Sequence, residues 1–211
     1  MSSPSLFGKD YYYGHKLSNY TSYEMYDNDR YWQPVLIKLK NLHASGRLLD
    51  IGCAFGYFLK RAKPFFSEVY GADISEYALE KAQKQVPQGK FSVVNLDTDD
   101  LPFPDDNFDV ITAFDVLEHT KSIPNSLAKI KAKLKPGGYL IFSVPVTDTW
   151  AGWLFHKFDK DITHISVPTT RELDEFISHS GMTLVEKQGF LNAAYIRIPF
   201  LPVSYEVTLK K

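Results

Sequence analysis

Carboxylates recur at the ends of the apolar runs in this 211-residue chain, and their spacing is the first sign of chemistry. Asp50 follows Leu48–Leu49 and precedes a tight turn, Gly52-Cys53-Ala54-Phe55-Gly56, after which Tyr57, Phe58 and Leu59 begin a helix. Pro64 disfavours its continuation. The first helical turn presents backbone N–H groups with no intrahelical partner, which suit an anionic or polar ligand. The structural alternative is a plain strand–helix turn whose glycines serve geometry. It is not a phosphate grip of either familiar form: G-x-x-x-x-G-K-[ST] is absent, and G-x-G-x-x-G would need glycine at Ala54. Asp50 would repel a pyrophosphate and suit an ammonium group.

Further along, Asp73 lies 21 residues after Gly52. A carboxylate at a strand end there can accept both hydroxyls of a ribose, or it can serve the following helix as a cap. Asp97 sits in Leu96-Asp97-Thr98-Asp99-Asp100, either a solvated acidic loop or a cation site. Asp115, Glu118 and His119 form D-x-x-E-H, and Asp161 and His164 are three apart. An imidazole titrates near neutrality, so His164 can take a proton from a substrate hydroxyl; alternatively it fixes its loop by hydrogen bonds.

These residues need a scaffold that brings strand ends together. The apolar pattern predicts strands at 47–51, 68–72, 90–94, 108–113, 139–144, 183–189 and about 205–209. Helices are expected over 28–44, from Tyr57, over 75–85 with Ser75 as N-cap, over about 124–134, and from the capping box Thr169–Glu172 to Ser180. Lys135-Pro136-Gly137-Gly138 reads as a turn and 145–168 as irregular. The alternation implies an α/β fold: a doubly wound, mostly parallel seven-stranded sheet with helices on both faces. In such sheets ligands bind beyond the carboxyl ends of the strands.

Composition narrows the partners. A net charge of −1 with 44% hydrophobic residues describes a globular protein without a polyanion-binding field, so nucleic acid is not expected. Cys53 is the single cysteine, which excludes an internal disulfide and fits a reducing, cytoplasmic setting. No run of apolar residues reaches the length of a membrane span. Aromatic residues make up 15%, with tyrosines concentrated in 11–31. That stretch reads as a packed N-terminal arm, as a lid over a pocket, or as both. The division expected is 1–45 as arm and helix, a lid or cap, and 46–211 as the binding domain, with a substrate-side insertion at about 145–168.

Asp50-x-Gly52-x-Ala54-x-Gly56, Asp73, the run Leu96–Pro104, Phe114–His119 and Leu134–Gly138 occur in an order that resembles class I S-adenosylmethionine-dependent methyltransferases. The likeness is to their small-molecule, ubiquinone-biosynthesis-like branch, and it covers residues 47–144. Ala54 stands for the middle glycine of the first motif and Leu96 for a usual glycine. The resemblance implies a Rossmann-like methyltransferase fold with S-adenosyl-L-methionine as cofactor. It places that cofactor against the turn residues Asp50, Gly52, Cys53, Ala54 and Gly56. It adds Asp73 and Ile74 at the ribose, Asp97 and Thr98 at the adenine, and Phe114. It implies methyl transfer to oxygen or nitrogen of a small, partly apolar acceptor, mainly by positioning, with His164 as candidate base. Some quinone O-methyltransferases of this branch hold a divalent cation with E-x-x-E-H; relatives with the same letters have none, and no metal is expected here. A non-catalytic cofactor-binding module is the main alternative, and an NAD-dependent oxidoreductase the lesser one.

Overall fold

The computed structural model describes residues 4–14, 17–193, 196–199 and 201–211. Residues 1–3 of the expected N-terminal arm lie outside that range. Strands β1 (Arg47–Ile51), β2 (Glu68–Asp73), β3 (Lys90–Val93), β4 (Phe108–Phe114) and β5 (Leu134–Pro145) run parallel. They are joined by β6 (Thr183–Ala193), β7 (Ile196–Pro199) and β8 (Ser204–Lys210) in the order β3-β2-β1-β4-β5-β8-β6-β7. The sheet therefore has eight strands, not seven. Ile196–Pro199 folds back antiparallel on the end of β6, and β8 inserts antiparallel between β5 and β6.

Alternation along the strands divides the core. Leu48 and Val110 face one side, with Trp32, Val35 and Leu39 of a helix at Asp29–Asn41 and Phe58, Leu59 and Ala62 of one at Tyr57–Ala62. Leu49 and Ile111 face the other, with Ile123, Leu127 and Ile130 of the helix Ile123–Lys133 and Leu173 and Ile177 of Thr170–His179. A strand buried on both faces is what helices on both sides of a parallel sheet require. In chain order the helices are α1 (Lys9–Tyr12), α2 (Asp29–Asn41), α3 (Tyr57–Ala62), α4 (Glu76–Gln85), α5 (Ile123–Lys133), α6 (Trp150–His156) and α7 (Thr170–His179).

Caps set most helix starts. The side chains of Asn28, Ser75, Ser122 and Thr169 each accept a backbone N–H of the first turn, and Thr169 with Glu172 forms the full capping box. Two expectations need correcting. The stretch 135–138 is not a free turn, because Leu134 already pairs with Phe108 and the register shifts between Phe108 and Val110, leaving a bulge in β5. The stretch 145–168 contains α6, capped by Thr149, whose Oγ1 accepts from Gly152 N at 2.8 Å. Among the described residues no helix is long and apolar enough to cross a membrane.

Candidate active site

The register sets Ile51 beside Ala72 and Ala113, and Phe114 beside Ser143, so the ends of β1, β2, β4 and β5 form one rim. A cavity of about 100 Å³ opens along it. Of the residues expected at a cofactor, Gly52, Ala54, Asp73, Ile74, Asp97 and Phe114 line this cavity. Asp50, Cys53, Gly56 and Thr98 do not.

Each of those four has a local reason. Asp50 is 3% exposed, beneath the turn, and its Oδ1 accepts from Thr112 Oγ1 at 2.6 Å. Burial outweighs that bond and, with the charge of Asp73, pushes its carboxyl up to about 8. Cys53 is buried with its sulfur toward Gly71: a Cβ built on that glycine would stand 2.7 Å from Sγ. Gly56, at φ +76°, is the N-cap of α3, and a Cβ there would meet Ala82 Cα of α4 at 3.1 Å. Thr98 is exposed and donates to Asp99 Oδ1 at 3.0 Å.

Asp73 is the hinge of the cavity. It is 7% exposed, and its Oδ2 accepts from Ala54 N at 2.8 Å while Oδ1 accepts from Ser75 N at 2.9 Å. The same carboxylate thus pins the glycine turn and the start of α4. Burial raises its pKa to about 6, with the backbone N–H groups opposing. Asp97 Oδ1 accepts from Lys121 N at 2.8 Å, which ties the acidic loop to the segment after β4.

Ala54 has a φ of +45°, in the left-handed region that costs an L-residue about 1–2 kcal/mol. Ala54→Gly relieves that strain but enlarges the unfolded ensemble by about 0.4–1 kcal/mol. The expected net result is a gain of about 0–1.6 kcal/mol in denaturant unfolding. A loss larger than 1 kcal/mol would show that the methyl group contributes packing that the strain argument omits.

The aromatic arm roofs the cavity. Phe7, Tyr11, Tyr12, Tyr20 and Tyr23 line it, and Tyr12 packs on Phe55 of the turn with ring centroids 4.8 Å apart. Tyr11 donates its hydroxyl to Asp161 Oδ2 at 2.9 Å, and Asn19 Nδ2 donates to Asp159 Oδ1 at 2.7 Å. The arm is thereby bonded to the loop that carries His164.

A second cavity of about 300 Å³ adjoins the first, and Tyr20 and Asp115 line both. Its walls include Tyr26, Tyr31, Glu118, Asp161, His164 and Asn192. Asp115 holds a φ of +51° while its Oδ1 accepts from Ser143 Oγ at 2.8 Å. The sequence marked the arm as aromatic without indicating which rings reach a cavity, and nothing in it marked Asn192.

Glu118, His119 and His164 each bring a potential metal-donor atom within 4.8 Å of the others. Their protonation differs. Burial, then the charge of His164, lowers His119 to about 4, so it is neutral, with Nδ1 at 3.1 Å from Thr163 O. Burial also pulls His164 down, but a 2.6 Å bond from Nδ1 to Asp159 Oδ2 and the charges of Glu118 and Asp161 outweigh it and raise it to about 9. The bond to Asp159 and the neighbouring carboxylates thus favour the charged form of His164 at neutral pH.

Comparison with known proteins gives one consistent picture. A family model described as a methyltransferase domain matches residues 24–187. A 2-phytyl-1,4-naphtoquinone methyltransferase of Nostoc punctiforme is 36% identical over 115 residues, 51% of this chain and 50% of that protein. The chain thus spans about half the length of that relative. A demethylmenaquinone methyltransferase of Tropheryma whipplei is 25% identical over 197 residues, 86% of this chain and 82% of that protein. In fold the chain is similar to an S-adenosylmethionine-dependent methyltransferase of Mesorhizobium loti, with a TM-score of 0.67 at 19% identity, covering 86% of this chain and 98% of that one.

Proposed function

Because the chain belongs to the methyltransferase-domain family, we propose that it transfers a methyl group from S-adenosyl-L-methionine to oxygen or nitrogen of a small-molecule acceptor. The observation that carries this reading is the pair of adjoining cavities sharing Tyr20 and Asp115. The first has an acidic strand end at Asp73 and a second carboxylate at Asp97, suited to a ribose and an adenine amino group. The second supplies room for an acceptor next to it. The quinone names of the relatives support an acceptor with an apolar body.

The bound cofactor supplies a methyl group already activated by its sulfonium charge. What remains for the protein is to hold an acceptor atom in line behind that methyl and to keep water out. Positioning of this kind can supply about 7–11 kcal/mol, so no obligatory base is needed. The aromatic arm within residues 1–45, whose Tyr11, Tyr12, Tyr20 and Tyr23 line the first cavity, serves as its lid, and 46–211 as the domain beneath it. Asp73 and Asp97 orient the nucleoside, and the N–H groups of the turn favour the carboxylate of the amino-acid end. His164, bonded to Asp159 and held toward its charged form, fixes the acceptor-side loop.

Calorimetry with S-adenosylhomocysteine and with NAD tests the cofactor. The expected result is saturable binding of the former that NAD does not displace. Tight NAD binding with none of the sulfur nucleoside would end this reading. Binding without methyl transfer to a broad set of acceptors would instead support a non-catalytic module.

A further inference from the structure

Among the described residues, two buried side-chain atoms have no hydrogen-bond partner: Glu118 Oε2 and Asn192 Oδ1. Both residues line the second cavity, and both atoms are acceptors. Glu118 is 1% exposed, so water does not reach its carboxylate freely. Buried acceptors left unpaired are costly, and a ligand that brought N–H or O–H donors would relieve both.

The charge around the cavity selects among such donors. Among the described residues that line it, Asp115, Glu118 and Asp161 are acidic and His164, already bonded to Asp159, is the one basic side chain. Arg197 lies close enough to act on Asp115 but is ion-paired with Glu206. The remaining wall is aromatic: Tyr20 and Tyr26 meet edge to face at 5.7 Å, and Tyr26 and Tyr31 at 5.0 Å. Perpendicular rings beside carboxylates form a box suited to an ammonium group, which is attracted to ring faces as well as to the charges. Phe155 adds an apolar surface for the rest of the molecule.

We propose that the acceptor is a basic amine with an apolar body, its nitrogen held by Glu118 and Asn192 within the tyrosine box. This rests on the methyl-transfer reading. The ammonium gives one proton to the Glu118 carboxylate. The freed lone pair forms the N–C bond as the S–C bond breaks, and the S–C electron pair stays on sulfur. The products are a methylated ammonium, a neutral thioether and a protonated Glu118. A phenol or alcohol can also donate to Glu118, but losing its proton leaves an anion facing the carboxylates of Asp115 and Asp161.

The test is calorimetry on the full chain saturated with S-adenosylhomocysteine. Phenethylamine and tryptamine are compared with their neutral counterparts 2-phenylethanol and tryptophol, and with 1,4-dihydroxynaphthalene. At least one amine should bind ten times or more tighter than its alcohol and than the dihydroxynaphthalene. Glu118→Gln should reduce that preference to less than threefold. It should leave the nucleoside affinity intact, because Glu118 lines the second cavity and not the first. Equal binding of amine and alcohol, no amine binding at millimolar concentration, or tighter binding of the dihydroxynaphthalene would overturn the proposal. So would a preference that survives in folded Glu118→Gln. If that variant does not fold, the comparison on the unaltered protein decides alone. Failure to bind S-adenosylhomocysteine would strike the methyl-transfer reading instead, and is read in a separate titration.

Discussion

Asp73→Ala is expected to weaken S-adenosylhomocysteine binding by roughly 100-fold and to lower stability by about 1–3 kcal/mol. The affinity loss follows from removing a carboxylate that can accept the ribose hydroxyls: losing hydrogen bonds to a charged group costs about 1.5–3 kcal/mol, and 100-fold is about 2.7 kcal/mol. The stability loss follows from its bonds to the backbone. Asp73 is 7% exposed, and Ala54 N and Ser75 N lose their acceptor together. Relief of a buried charge offsets part of that cost, which keeps the loss modest. Asp73→Asn preserves one acceptor and should lie between the two proteins in both measurements.

The pH dependence runs in two directions. Burial raises the Asp73 pKa to about 6 in the fold, above its ordinary value near 4. The folded chain therefore holds this proton more tightly, and Asp73 contributes less to stability as pH rises from about 4 through 6. Ligand binding needs the ionised acceptor, so nucleoside affinity should fall as pH drops below about 6. Calorimetry at pH 5 and pH 8 measures the second effect, and an affinity independent of pH and of Asp73→Ala would place the ribose elsewhere.

Much of the scaffold was legible because short-range chemistry states it twice. The short apolar runs Leu48–Ile51 and Val110–Ala113 give strands buried on both faces, and Asn28, Ser75 and Thr169 mark helix starts through their own side-chain bonds. What escaped depends on long-range partners. Ile196–Pro199 is a four-residue strand whose only signal is pairing with β6. Trp150 and Trp153 of α6 are exposed, so that helix has no buried stripe to reveal it. In the site, the order of Asp50, Gly52, Asp73 and Asp97 along the chain was informative, but their depth was not. Whether Cys53 faces the cavity or Gly71 is decided by the turn's dihedrals, and letters alone do not report them.

His164→Ala should cost about 1–3 kcal/mol of stability near pH 6, and the difference from the unaltered protein should shrink as pH rises through 9. The group faces Asp159, Asp161 and Glu118, with the neutral ring of His119 centred 4.8 Å away. These carboxylates hold its pKa at about 9 in the fold, against about 6.5 when unfolded. A raised histidine pKa gives stability that is fully present below the unfolded value and is lost as pH climbs through the folded one. The window is therefore about 6.5 to 9. Its partner shows the same coupling from the other side: burial would raise Asp159, but the bond to His164 and those from Asn19 and Asp161 N bring it to about 2. The loop it anchors is bonded to the arm through Asn19 and Tyr11, so loss of His164 should loosen the lid as well as the acceptor side. Melting curves of both proteins at pH 6, 7.5 and 9.5 distinguish this from a catalytic role. A His164→Ala protein as stable as the original at pH 6, yet slowed 10²–10⁴-fold at neutral pH, would restore the imidazole as a general base.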